Sequence, residues 1–155
     1  MLAIQQDVTE QYLMDNSPIT CVVDYFVKME NRKPGQGIKR FDRMLKKETN
    51  FITFSLFPTL IITCSPDDFN AIQSVAEQNV AKNCKCKKKI KSKCEKCYNS
   101  VIKHMLNQAK LFYLLDKYKI PGIDVYTKPL NVPIYSGSFC RQVKSAYMQF
   151  LKKYV

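Results

Sequence analysis

Apolar side chains recur every three to four residues along six segments of the chain, which is the pattern of amphipathic helices. The first segment covers residues 3–14, the second begins at Ser17-Pro18, and the third covers residues 38–45. A serine at a cap position followed by proline in the first turn is a typical helix start. The β-branched composition of residues 21–27 leaves a strand as an alternative within the second segment.

The three remaining helical segments begin after residue 64. The sequence Ser-Pro-Asp-Asp at residues 65–68 combines a capping serine, a proline for the first helical position and two carboxylates for the positive helix end. A long helix is predicted from Tyr98 to the Pro-Gly pair at residues 121–122, and a closing helix covers residues 139–154. Residues 33–37, Lys-Pro-Gly-Gln-Gly, predict a turn and match no phosphate-binding glycine motif.

Two short segments predict strands instead. Residues 51–57 alternate between two faces, and residues 59–64 are rich in β-branched side chains, with Pro58 between them. This pattern predicts a β-hairpin or one bent strand. Residues 123–138 contain two prolines and a glycine, and we expect them to form an extended, largely irregular connection.

Composition places the chain among compact proteins. It has 155 residues, of which 46% are hydrophobic, and one folded domain over residues 1–155 is expected. No apolar run approaches the roughly 18 residues of a membrane span. The N-terminus lacks a basic stretch before an apolar one, so it does not predict a secretory signal, and we expect an intracellular protein, nuclear or cytoplasmic.

Charge is concentrated in one place. The chain carries a formal net charge of +12, and residues 82–103 contain nine lysines and a single acid, Glu95. Such a segment favours a polyanionic partner, either nucleic acid or an acidic protein surface. The candidate phosphate-contacting residues are the lysines nearest its centre: Lys85, Lys87, Lys88, Lys89, Lys91, Lys93 and Lys96.

Four of the seven cysteines lie in the same segment, as C-x-C-x7-C-x2-C. Two closely spaced cysteine pairs are typical of a structural zinc site, which takes four soft ligands in a tetrahedron. The predicted ligands are Cys84, Cys86, Cys94 and Cys97, within a zinc and basic segment spanning residues 82–104. His104 is a possible substitute for one cysteine, and participation of Cys140 stays open.

Other uses of this segment are also open. Without metal, the four thiols would form a reduced basic loop that oxidises readily, or a redox switch through Cys94 and Cys97. The lysines also fit a nuclear import signal or a solvated charge run with no partner. Nine lysines exceed what is needed to balance a four-thiolate zinc site, so several remain for a polyanion.

The predicted fold class is therefore α+β, mainly helical, with a short β-hairpin and a four-cysteine zinc loop inserted between two helices. The predicted function is a zinc-stabilised basic protein that binds nucleic acid with little sequence specificity, because lysines outnumber arginines twenty-one to four. The alternative is a structural or assembly protein, such as a virion or nucleocapsid component of a large DNA virus. A homo-oligomer stays open for either function. Four cysteines close a zinc site to substrate, so we do not expect an enzyme.

Overall fold

The computed structural model describes residues 2–4, 17–47, 56–83 and 94–154, and this part of the chain is mainly helical. In chain order its elements are β1 (Leu2–Ile4), α1 (Pro18–Arg32), α2 (Gln36–Leu45), β2 (Thr59–Cys64), α3 (Phe69–Asn83), α4 (Glu95–Tyr118), β3 (Ile123–Lys128) and α5 (Gly137–Tyr154). The helical segments predicted from residue 17 onward are confirmed as α1 to α5. Residues 21–27 belong to helix α1, not to a strand.

The small sheet has the order β1-β2-β3. Strand β2 pairs parallel with β3, so that Thr59 faces Ile123 and Cys64 faces Lys128, and it pairs antiparallel with β1. Alternate residues of a strand point to opposite faces, so the sheet contributes to two separate cores. Ile61 packs into the main core, whereas Leu60 packs with Phe150 of α5.

The main core lies between one face of the sheet and helices α1, α2 and α4. Its buried members are Ile19, Val23, Val27, Phe41, Leu45, Ile61, Leu111, Phe112, Leu115, Ile120 and Ile123. On the opposite face of the sheet, Phe150 is fully buried and Tyr147, Leu151 and Tyr154 pack around it. The sheet is therefore covered by helices on both sides.

The turn between α1 and α2 is held by a buried carboxylate. Glu30, which is only 5% exposed, accepts hydrogen bonds from the backbone N–H of Gly35 and from that of Ile38 at 2.9 Å. These N–H groups belong to the start of α2, where a helix leaves its donors unpaired. Gly35 has φ +89°, which a glycine adopts readily.

Three sequence predictions need correction. The predicted β-hairpin of residues 51–57 with 59–64 is wrong for β2, because β1 and β3 occupy the two edges of this strand. Residues 51–55 lie outside the described part of the chain. Residues 3 and 4 belong to a strand, not to the predicted first helix, while residues 5–14 are outside the description. Residues 123–128 form a strand, since Ile, Val, Thr and Tyr favour a pleated surface.

The start of α3 also differs from the prediction. Its capping residue is Asp68, whose Oδ1 accepts a hydrogen bond from the N–H of Ala71 at 3.2 Å. Ser65 instead forms the preceding turn, where its Oγ accepts from the N–H of Asp67 at 3.1 Å. The helix therefore begins at Phe69, three residues later than a Pro66 start would place it.

Candidate metal centre and basic segment

Cys94 and Cys97 lie at the first turn of α4. Cys94 is the N-cap residue, with extended backbone at φ −70° and ψ 99°, and Cys97 is three residues further on. The carbonyl of Cys94 accepts the N–H of Tyr98 at 2.9 Å, so the helix starts directly at this pair. A side chain at the N-cap reaches toward the third helical residue, which brings the two positions close together. The positive end of the helix dipole favours thiolates here.

A small apolar cluster holds this turn against α3. Cys94 and Val80 are each 1% exposed and pack together, with Cys97, Tyr98 and Val101 around them. Helix α3 ends at Asn83, the residue directly before Cys84. In the sequence, the first cysteine pair therefore directly follows the helix whose Val80 packs on Cys94.

The rest of the predicted site lies outside the described residues. This applies to Cys84, Cys86 and the central lysines, which are Lys85, Lys87, Lys88, Lys89, Lys91 and Lys93. Lys96 is described and is exposed on α4. In the part of the chain that the structure describes, no three His, Cys, Asp or Glu side chains gather into a metal-binding group. Two of the four predicted ligands are thus placed together, and the other two are not described.

His104 faces α1. Its Nδ1 lies 3.2 Å from Nδ2 of Asn31, an amide donor, and its Nε2 lies 3.8 Å from Oδ1 of Asp24. Burial lowers the pKa of His104, and nearby Lys28 adds to this while Asp24 opposes it. Seven residues separate it from Cys97, which is about 10.5 Å along a helix axis. His104 therefore contacts α1 in the described part of the chain, and its participation in a metal site stays a prediction.

The other described cysteines lie elsewhere in the fold. Cys140 is exposed on α5, a helix that packs against β2 and β3, and Cys21 is exposed on α1. Cys64 is half-buried at the end of β2, where burial, and next the negative charge of Asp68, raise the pKa of its thiol to about 11. A thiol with such a pKa stays protonated at neutral pH and is a poor nucleophile.

Lys128 and Asp68 form a buried ion pair that the sequence does not predict. Lys128 Nζ lies 2.6 Å from Oδ2 of Asp68, and the two side chains are 3% and 5% exposed. Lys128 also donates to the carbonyl of Pro129 at 2.7 Å and to that of Val132. All three ammonium hydrogens therefore have an acceptor. The role of the pair is structural, because it links the end of β3 to the start of α3. The sequence pattern around Asp68 indicates only a carboxylate at a positive helix end and gives no sign of this pair.

An open cleft of about 690 Å³ lies where β2 and β3 begin. Its lining includes Leu60, Ile123, Asp124, Lys153 and Tyr154. Lys153 donates to Asp124 at 3.0 Å, so these two charges satisfy each other. The lining of the cleft therefore combines apolar side chains with an ion pair.

No protein family model, curated protein or solved structure matches this chain. Among the helices described, none combines the length and the apolar content required to cross a bilayer.

Proposed function

We propose that this protein is a zinc-stabilised basic binding protein that contacts nucleic acid phosphates with little sequence specificity. The observation that supports this best is the position of Cys94 at the N-cap of α4, buried against Val80 of α3. The lysine-rich segment leaves one helix and enters the next at a junction where the two helices are packed together. A metal at this junction would hold both ends of the segment.

Zinc suits the donor set. Four thiolates around Zn²⁺ carry a formal charge of −2, which a helix N-terminus and neighbouring lysines stabilise. The ten residues between Asn83 and Cys94 contain Ile90 as their single aliphatic side chain, so apolar burial has little to contribute there. Binding of a structural zinc ion supplies the missing free energy.

The lysines suit nucleic acid phosphates. Lysine presents a compact charge rather than the planar fork by which arginine reads base edges, so the binding is to the backbone. Each neutralised phosphate releases counterions, which makes such binding strongly dependent on salt. Lys96 is exposed next to Cys97 and is the member of the candidate lysine set that the structure describes.

The proposal is tested with the purified full chain, by native mass spectrometry and by fluorescence anisotropy on a random-sequence DNA duplex. We expect one zinc ion per chain and a loss of affinity of roughly a thousandfold between about 50 and 200 mM salt, as for six phosphate contacts. Cys94→Ser is expected to lose both zinc and most of the affinity. Cys140→Ser, at an exposed position on α5, is the matched control and is expected to retain both.

Natively purified protein that carries no zinc would contradict the metal site, and affinity that is insensitive to salt would contradict the phosphate contacts. Light scattering after size-exclusion chromatography provides a further arm. A stable oligomer that binds no nucleic acid would favour the assembly role over the proposed one.

A further inference from the structure

Helix α2 presents a basic face to solvent. Lys39, Arg40, Arg43 and Lys46 lie within an arc of about 120° when successive helical residues are placed about 100° apart. All four are exposed. Lys46 caps the helix and pairs with Asp42 at 3.1 Å, one turn away. Four cations thus share roughly two turns of one helix.

The opposite face of α2 is fixed in the main core. Phe41 and Leu45 are 0% and 1% exposed, and Gly37 lies so close to α1 that a Cβ there would be 2.3 Å from the carbonyl oxygen of Phe26. The helix therefore cannot turn its apolar side outward. This distinguishes α2 from a membrane-surface helix, whose apolar face has to enter the lipid.

Nearby acids leave most of this positive charge uncompensated. Residues 17–47 contain eight Lys or Arg and three acids. Glu30 is buried and occupied by the start of α2, and Asp24 pairs with Lys28 at 2.9 Å. The hydroxyl of Tyr118 donates to Asp42 at 2.6 Å and, together with Lys46, lowers the pKa of that carboxyl. No described acid pairs with Lys39, Arg40 or Arg43.

The connection between α1 and α2 points to the kind of polyanion. Three residues, Lys33 to Gly35, join the two helices, and α4 packs against both of them. Helix-turn-helix units also consist of two helices joined by a short turn that often contains glycine, and their second helix faces the major groove of DNA. Helix α2 is about 15 Å long, comparable to the groove width of about 12 Å.

No other described helix carries so dense a basic face. On α5 the exposed cations Arg141, Lys144 and Lys152 spread over three turns, and Met148, which is 49% exposed, lies among them. A stretch of about 12 Å of duplex DNA carries about seven phosphate charges. The closely spaced cations of α2 match this charge density better than the widely spaced cations of α5 do.

We propose that the basic face of α2, formed by Lys39, Arg40, Arg43 and Lys46, is a second contact surface for duplex DNA. This inference rests on the proposed function in sharing its partner, but it uses neither zinc nor the lysine-rich segment. The face contacts phosphates along the groove edge.

The test compares four variants of the full chain on the same random-sequence duplex. The α2 variant is Lys39→Gln with Arg40→Gln and Arg43→Gln, and its control removes three charges from α5 by Arg141→Gln, Lys144→Gln and Lys152→Gln. For the α2 variant we expect affinity at about 0.1 M salt to fall on the order of a hundredfold and the salt slope to decrease by about three. The α5 control is expected to change the slope by less than about one.

A third variant keeps the charge of α2, by Lys39→Arg with Arg40→Lys and Arg43→Lys, and is expected to bind within about threefold of the natural chain. This variant shows that a loss of affinity in the Gln variant comes from the removed charge. Circular dichroism checks that every variant is folded. The fourth variant, Lys87→Gln with Lys88→Gln and Lys89→Gln, tests the lysine-rich segment separately.

The outcomes separate the two proposals. If only the α2 variant weakens binding, the inference stands and the lysine-rich segment loses its proposed role. If only the Lys87–Lys89 variant weakens binding, the inference is overturned and the proposed function stands. If the natural chain binds no duplex, both are overturned, and α2-dependent binding to phosphatidylserine vesicles instead would identify a lipid surface.

Discussion

Gly37 is the residue at which α1 and α2 come closest. A Cβ at this position would lie 2.3 Å from the carbonyl oxygen of Phe26 and 2.7 Å from the backbone nitrogen of Glu30. Both neighbours are backbone atoms, so neither can move aside as a flexible side chain would. The absence of a side chain at residue 37 therefore sets how closely the two helices pack.

We predict that Gly37→Ala destabilises the protein by about 1–3 kcal/mol, because one extra methyl group has to be accommodated by separating two packed helices. Urea denaturation followed by circular dichroism measures this. Gly137→Ala is the matched control, since its Cβ would meet only Arg141 at 3.5 Å, and its effect should stay within about 0.5 kcal/mol. Equal stability of the two variants would show that α1 and α2 are not packed as described.

At the same scale, the sequence predicted the turn at residues 33–37 but not the role of each glycine. Gly35 is needed for its positive φ, whereas Gly37 is needed for a close approach to α1. The approach depends on residues several turns earlier in the chain, which no local pattern reveals. Glu30 illustrates the same limit, because an acid on a helix gives no sign that it caps the next helix.

At the scale of elements, helices were predictable and strand partners were not. The apolar spacing of α4 and α5 is set by burial against a core, so it is visible in any window of the sequence. Strand β2 was also predicted, yet its parallel partner β3 begins about sixty residues later. A strand signal says nothing about its neighbour, so a local hairpin was predicted instead.

The buried pair of Lys128 and Asp68 joins two of these elements. We predict that Lys128→Met destabilises the protein by about 3–5 kcal/mol, since it leaves a buried carboxylate without its partner. The double variant Lys128→Met with Asp68→Asn should lose less than the sum of the two single variants. Chemical denaturation of all four proteins measures this coupling.

Lys28→Met is the control for that cycle. Lys28 and Asp24 also form a close pair, at 2.9 Å, but their side chains are 66% and 44% exposed. We expect Lys28→Met, which removes this exposed pair, to change the free energy of unfolding by less than about 0.5 kcal/mol. A similarly small change for Lys128→Met would mean that its partner is readily hydrated.

At the scale of the whole molecule, the sequence predicted part of the candidate site. The apolar spacing predicted a long helix from Tyr98, directly after the C-x2-C pair, whereas the helix begins at Glu95 with Cys94 as its N-cap. Contact between Val80 and Cys94 depends on the packing of α3 on α4, which spacing alone does not define. The orientation of His104 toward α1 likewise depends on Asn31 and Asp24, far away in the chain.

We predict that removing zinc loosens one corner of the molecule and leaves the main core intact. The cluster around Val80 and Cys94 is separate from the core formed by α1, α2, α4 and the sheet. Hydrogen exchange followed by mass spectrometry, with and without a chelator, should show faster exchange in residues 76–83 and 94–101. Residues 109–115 should exchange at an unchanged rate, because buried core helices open last.

The Cys94→Ser protein serves as the control, since a chelator should have no further effect on it. Global acceleration of exchange on chelation would show that the metal holds the entire fold, and no acceleration anywhere would argue against a metal at this corner.

The three residues of β1 shield the apolar strand β2 from other chains. Leu2–Ile4 pairs with Leu60, Ile61 and Ile62 along one edge of β2, whose sequence is Thr-Leu-Ile-Ile-Thr-Cys. An uncovered edge of that composition is a template for pairing with a strand of another molecule. Proteolytic loss of residues 2–4 would therefore favour aggregation, so material for any of these measurements is best prepared with this end of the chain intact.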